Sequence, residues 1–271
     1  MKVTHYLNGE FVTEEDLLIS PRDLGLARGY AVFDFFRTYN GHKPFMFDYH
    51  ISRLFNSAES IGLHLPWTKD EIKRIIVKTV EKNDKTKEFA IRVTITGGVI
   101  DPTLIVTLDE VINFSKSTYE DGIKVITLNN KRRRPGSKTT YYVDAIQYKD
   151  KMHEEGAEEI LYVYNNSVLE GAYSNFFCVI NNKIVTAKEH VLPGITRLVV
   201  LEKLNLKIPT ETRDLTLKEL SSATEAFLSV SGKGIVPVVK IDDNKVGNGK
   251  VGPITKDIIK KFNDFIASGK W

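Results

Sequence analysis

Three asparagine-centred turns flanked by apolar residues constrain this chain more than any other feature. "THYLNGEFV" turns at Asn8-Gly9, "YAVFDFFRTYNGHKPFMF" at Asn40-Gly41 and "NFFCVINNKIVTA" at Asn181-Asn182. Asparagine and glycine accept the positive φ of a tight hairpin turn, and strand side chains alternate between faces, so each stretch reads as a hairpin. Helical spacing lies between them. Ile51, Leu54, Phe55, Ala58 and Ile61 follow Asp48, a predicted N-cap, and Ile72, Ile75, Ile76 and Val80 mark a second helix. Strands are predicted in "FAIRVTITGG" and "TLIVTLDEV".

The polar stretch "NFSKSTYEDG" then separates a second region. It holds the strand "IKVITL", a helix over about 143–155, the strand "EEILYVYN" and the third hairpin. A helix follows Pro193-Gly194, "AFLSVSGKGIVPVV" reads as strand, turn and strand, and a last helix carries Ile254, Ile258, Ile259, Phe262 and Phe265. The fold class is α+β in two domains: a small N-terminal one over 1–113, a linker over 114–123 and a larger one over 124–271.

The 271 residues carry 38 basic and 35 acidic side chains, a formal charge of +3, too weak to require a polyanionic partner. The single cysteine, Cys178, excludes an intrachain disulfide, and its neighbours Phe176, Phe177, Val179 and Ile180 mark it as a buried hydrophobe. The start, "MKVTHYLNGEFV", lacks a signal-peptide stretch and no apolar run approaches membrane-spanning length, so a cytoplasmic protein is expected. Six histidines stand at no metal-ligand spacing, so no metal is expected.

"NNKRRRPGSKTTYY" (129–142) asks for a local explanation. It is a nucleic-acid patch, a solvated loop, or a loop that delivers one special lysine. A single-strand nucleic-acid face interleaves aromatic residues with basic ones; here the tyrosines follow the basic run. The loop reading is preferred, with Arg132, Arg133 and Arg134 expected to be mostly solvated or interface residues.

Four further pieces, "SKTTYY", "VLEGAYSNFF", "LPGITR" and "FLSVSGKGIVPV", together with "RGYAVFDFFRTY" and "HISRLFNSA", occur in an order that resembles the class IV aminotransferases. These are pyridoxal-phosphate enzymes of fold type IV, and they include branched-chain and D-amino-acid aminotransferases and aminodeoxychorismate lyase. The resemblance spans nearly the whole chain. It implies a small N-terminal α/β domain and a larger C-terminal domain with a β-barrel-like core. It also implies a pyridoxal 5'-phosphate cofactor and a homodimer.

By this resemblance Lys138 forms the Schiff base with the cofactor and then moves the substrate proton. Glu170, in "LEGAYSN", pairs with the pyridine nitrogen and keeps the ring an electron sink. The amides of Ile195 and Thr196 with the Thr196 hydroxyl, the turn Ser231-Gly232, and Arg53 of "HISRL" bind the phosphate. Each has a plainer reading: a solvated lysine, a turn glutamate, an ordinary helix start, a glycine kept for its backbone angles, a surface arginine.

Substrate choice matches neither subgroup. Arg28 and Arg92 are candidate carboxylate ligands, and Tyr30, Phe33, Phe35 and Tyr142 are candidates for an apolar pocket or for plain packing. The arginine trap of D-amino-acid enzymes aligns with Gly97. The tyrosine that many branched-chain enzymes place after the lysine aligns with Val143, and the tyrosine of their "YIR" stretch with Ala90. The expected activity is transamination between a D- or branched-chain α-amino acid and a 2-oxo acid such as 2-oxoglutarate. The alternatives are an aminodeoxychorismate-type lyase releasing pyruvate and a non-catalytic binding protein using the basic loop. No nucleic-acid or membrane partner is expected.

Overall fold

A computed structural model describes residues 2–111 and 114–271, and the chain divides into two units. The expected domain boundary at 113/114 touches Ile112 and Asn113, which lie outside the described residues.

One unit holds the described residues 2–111 with Ser137–Tyr141 and Trp271. Its strands are β1 (His5–Leu7), β2 (Glu10–Val12), β3 (Ala31–Tyr39), β4 (Lys43–Pro44), β5 (Phe89–Thr96) and β6 (Thr103–Glu110). Both predicted hairpins form, with Asn8 and Gly9 at φ 46° and 111° and Asn40 and Gly41 at φ 52° and 81°. The sheet runs β2-β1-β6-β5-β3-β4, and each pairing is antiparallel.

Helices α1 (Leu24–Arg28), α2 (Phe47–Ser60) and α3 (Lys69–Glu81) complete this unit. Ile51, Leu54 and Ala58 of α2 and Ile72, Ile76 and Val80 of α3 join Val32, Phe36, Ile91 and Val93 of the sheet in one core. The 3.6-residue helical period meets the 2-residue strand period there. Asp48 is not the N-cap of α2. Met46 takes that position at φ 46°, and Asp48 sits in the first turn, where its charge faces the positive end of the helix. Thr68 and Glu71 close a capping box on α3.

The other unit holds the described residues 114–136 and 142–270. The stretch read as a linker contains a short helix, α4 (Lys116–Glu120), capped by Ser115, and the Tyr119 hydroxyl donates to the Lys233 carbonyl at 2.8 Å. After β7 (Ile123–Asn129), the single helix expected over 143–155 is two, α5 (Val143–Ile146) and α6 (Lys149–Glu154). Tyr148, at φ −97° and ψ 6°, interrupts the helix while its ring packs against the cluster around Ile126 and Ile160.

Then come β8 (Glu159–Tyr164), β9 (Ser167–Gly171), β10 (Asn175–Ile180) and β11 (Lys183–Thr186), the last two joined at Asn181-Asn182 as predicted. Next are α7 (Ile195–Leu198), continued by a π turn over Val199–Lys203, β12 (Thr210–Thr212) and α8 (Leu217–Leu220). The remaining elements are β13 (Glu225–Val230), β14 (Gly234–Ile241), β15 (Asn244–Lys245) and α9 (Pro253–Ser268).

Strands β10, β13, β14, β7, β8 and β9 pair in succession, and β9 returns to β10 at Glu170↔Asn175. That pair closes a barrel, the core implied for the larger domain. The barrel is packed with apolar side chains, including Val125, Leu161, Val168, Phe176, Cys178, Leu228 and Val236. Burial pushes the Cys178 thiol up to about 12, so it stays a neutral core residue. Among the described residues no helix is long and apolar enough to cross a membrane.

Candidate active site

The first unit gathers a buried charged cluster around Arg53. Val32, Asp34, Phe36 and Thr38 share the buried face of β3 because strand residues alternate, so Asp34 must find partners inside the core. Arg53 supplies them: its Nε donates to Asp34 Oδ2 and its NH2 to Asp34 Oδ1, both at 2.8 Å. His50, one turn earlier on α2, places Nδ1 2.7 Å from Asp34 Oδ1. Burial alone would raise the Asp34 carboxyl, but Arg53 and His50 outweigh it and hold it well below the usual carboxylate range. Burial lowers His50 despite Asp34, so a neutral imidazole donates through Nδ1.

Lys138 belongs to this unit and is 9% exposed. Its N–H donates to Ser57 Oγ at 3.0 Å, and its carbonyl accepts the Phe33 N–H at 2.9 Å. Its Nζ lies 4.7 Å from the centroid of the Phe33 ring. Arg92 Cζ lies 4.7 Å from the same centroid, so lysine and guanidinium contact one aromatic ring.

The second unit centres on Glu170, 1% exposed at the barrel seam. Arg132 Nε donates to Glu170 Oε1 at 2.8 Å, while the Leu192 N–H at 2.8 Å and Asn175 Nδ2 at 3.2 Å donate to Oε2. Arg132 NH2 also donates to the Ala172 carbonyl at 2.6 Å. This corrects the reading of Arg132 as a solvated residue: it is an internal counter-ion, and only Arg133 and Arg134 of the triplet are exposed. Burial would lower the Arg132 guanidinium, but Glu170 more than compensates and raises it. A nucleic-acid patch therefore loses the first of its three arginines.

Ile195 and Thr196 open α7 after Gly194, and no side chain caps that helix. Their amides and the Thr196 hydroxyl meet no partner among the described residues, although both residues are buried. Two buried side-chain atoms nearby in the fold lack partners: Arg197 Nε on α7, and Ser229 Oγ, which lies opposite Asn175 across β10 and β13. The helix start fits closely, since a Cβ on Gly194 would lie 1.9 Å from Asn175 Oδ1. Such unpaired donors suit a phosphate monoester, and Glu170 suits a protonated ring nitrogen, so these residues fit pyridoxal 5'-phosphate. Ser231 and Gly232 form the turn between β13 and β14, yet the positive φ there, 73°, belongs to Gly234.

The substrate candidates lie apart in character. Arg28 is exposed at the end of α1 and donates to the Ala27 carbonyl. Arg92 is exposed above Phe33 and Phe35. Tyr142 is half-buried and stacks on Tyr173 at 5.3 Å between centroids. Tyr30 covers Gly97: a Cβ there would lie 2.5 Å from Tyr30 Cδ1, so a side chain at the position that aligns with the arginine trap would have to displace the Tyr30 ring.

Sequence reasoning did not assign Asp34, His50, Ser57, Arg132, Asn175 or Glu159. The available signal for Asp34 was a carboxylate on the inward register of an otherwise apolar strand. Glu159 is buried at the start of β8, and burial pushes its carboxyl up to about 7. Between the ordinary glutamate range and that value, the unfolded chain releases a proton that the folded chain keeps. Stability therefore falls as pH rises through this interval and levels off above it. Glu159→Gln is expected to flatten that slope and to stabilise the protein at pH 8 by on the order of 2 kcal/mol. Denaturant unfolding at pH 5 and pH 8 checks this; equal slopes for both proteins would mean that Glu159 is ionised in the fold.

A family model for amino-transferase class IV matches residues 31–241. A putative branched-chain-amino-acid aminotransferase of Methanocaldococcus jannaschii is 34% identical, over 96% of this chain and 95% of that one. A D-alanine aminotransferase of Staphylococcus aureus is 29% identical, over 97% and 98%. The structure of the branched-chain amino acid aminotransferase from Escherichia coli superposes with a TM-score of 0.87 at 26% identity, over 98% and 95%. That of Thermoproteus uzoniensis gives 0.90 at 24%, over 100% and 96%, a likeness of fold. With a buried lysine, a buried carboxylate and unpaired phosphate donors in a fold of this type, the chain belongs to the class IV aminotransferases, enzymes that work with pyridoxal 5'-phosphate.

Proposed function

We propose that this aminotransferase moves the amino group between a branched-chain or D-α-amino acid and a 2-oxo acid such as 2-oxoglutarate, as a cytoplasmic homodimer. The observation that carries the site assignment is Glu170, a buried carboxylate held by Arg132, Asn175 and the Leu192 amide. Such a group can pair with a ring nitrogen and keep it protonated. Bound pyridoxal phosphate supplies an electron sink for the charge released at the substrate α-carbon. Lys138 carries the amine that binds the cofactor and then takes and returns the α-proton. Arg53, the Ile195 and Thr196 amides, the Thr196 hydroxyl, Ser231 and Gly232 hold its phosphate. Arg92, beside the Phe33 ring shared with Lys138, is suited to a substrate carboxylate, with Arg28, Tyr30 and Tyr142 as further substrate contacts.

Two observations bear on the substrate and the assembly. The space above Gly97 is filled by Tyr30, which removes one route to a D-amino-acid carboxylate and favours the branched-chain reading. Leu18, Leu26, Val99 and Ile100 are 75%, 69%, 52% and 91% exposed, apolar side chains that a second copy would cover. The relatives are named as aminotransferases, which disfavours the lyase reading.

The test is the visible spectrum of the purified protein with L-leucine and then with D-alanine, followed by 2-oxoglutarate. Conversion by one enantiomer and reversal by the oxo acid are expected. Repeated release of pyruvate from aminodeoxychorismate, many per site and without any amino acceptor, would replace transamination by the lyase reaction.

A further inference from the structure

Ser57 is fully buried on α2, one helical turn after Arg53. Its hydroxyl donates to the Arg53 carbonyl at 2.8 Å and accepts the Lys138 N–H at 3.0 Å. A serine oxygen has one proton and two lone pairs, so it can make both bonds at once. Ser60, further along the same helix, meets Ser137 with 2.5 Å between hydroxyl oxygens. Strand β3 grips the same segment from its other side. The Phe33 N–H reaches the Lys138 carbonyl at 2.9 Å, Val32 bridges Thr139, and the Thr140 N–H donates to the Ala31 carbonyl at 3.3 Å. Asp34 of that strand also holds the Arg53 guanidinium. The same helix and strand thus locate both the lysine backbone and the arginine head.

The geometry points to Ser57 as a positioning residue, one that sets the origin of the Lys138 side chain at a fixed distance from Arg53. This rests on the proposed roles of Lys138 and Arg53. A lysine amine rides on four flexible methylenes, so its reach is defined only if its backbone is anchored. The step from residue 53 to residue 57 is a rise of about 6 Å along the helix, and it ties that anchor to the guanidinium. An ordinary buried helix hydroxyl bonds only to the carbonyl one turn back. Thr79 on α3 does just that: its hydroxyl donates to the Ile75 carbonyl at 2.8 Å and makes no other bond among the described residues. Thr79 is therefore the internal control.

The experiment compares Ser57→Ala with Thr79→Ala as holoenzymes. It reads Tm, the pH at which the bound cofactor's absorption changes, and kcat separately from KM. Both variants are expected to lose Tm to a similar degree. Only Ser57→Ala should shift the absorption midpoint and lower kcat, by roughly tenfold, with KM little changed. Ser57→Thr, which keeps the hydroxyl, should recover both. If Ser57→Ala behaves like Thr79→Ala in every reading, Ser57 is only a core hydroxyl and the inference is overturned. Should the alanine variant not fold, Ser57→Cys keeps the volume, weakens both bonds and faces the same two outcomes. Failure of the underlying reading looks different, because then Lys138→Ala itself would keep the parent's absorption and its pH dependence.

Discussion

Alanine in place of Lys138 will lower transamination by at least about four orders of magnitude, because in the role proposed for it one amine both holds the cofactor and transfers the α-proton. The fold should tolerate the change. Two of the bonds that fix this residue run through its backbone N–H and carbonyl, to Ser57 and Phe33, and alanine keeps both. Activity should therefore vanish while Tm moves little. A second reading is independent of turnover. Borohydride followed by mass spectrometry should leave the cofactor's mass on Lys138 in the parent and on no residue in the variant. A variant retaining near-normal rates would sink the assignment of Lys138 and send the search to another lysine.

The second large effect concerns Arg132. Arg132→Met removes the guanidinium that touches a carboxylate 1% exposed, and two neutral donors remain on Glu170 Oε2. Breaking a buried ion pair from one side costs about 3–5 kcal/mol, since the remaining charge loses its compensation. For a protein of this size that is a fall in Tm of roughly 10 °C. The double variant Arg132→Met with Glu170→Gln removes the stranded charge and should regain on the order of 2 kcal/mol in a double-mutant cycle. Activity should not return in the double variant, because glutamine cannot keep a ring nitrogen protonated. If Arg132→Met alone leaves the Tm of the cofactor-free protein unchanged, Glu170 is not an anion in the fold, and its proposed role as partner of a pyridinium fails with it.

Both effects depend on residues whose legibility differed. Lys138 and Glu170 stand in short ordered motifs, "SKTTYY" and "LEGAYSN", and could be proposed from their neighbours in the chain. Arg132 could not. Within "KRRR" nothing local distinguishes it from Arg133 and Arg134, and its burial arises because β7 and β9 lie in one barrel, which brings positions 132 and 170 together. Asp34 was half legible: its inward register demanded a partner, but the partner's identity came from α2 crossing β3 with His50 and Arg53 on the facing side. The break in the helix over 143–155 was hidden because Val143, Ala145, Ile146 and Met152 keep an apolar spacing compatible with one helix as well as with two.

The sequence by itself determined the local grammar. The Asn-Gly and Asn-Asn turns, the alternation of the strands and the helical spacing of α2, α3 and α9 act over a few residues, where backbone sterics and side-chain periodicity suffice. Its motifs also determined the family. Only the tertiary structure decided that Lys138 is hung from Ser57 on the helix that carries Arg53, that the barrel closes at Glu170 and Asn175, and that Arg132 is an internal counter-ion. The reason is physical: a buried polar group must find its partner wherever packing brings one, and packing joins residues that are remote in the chain.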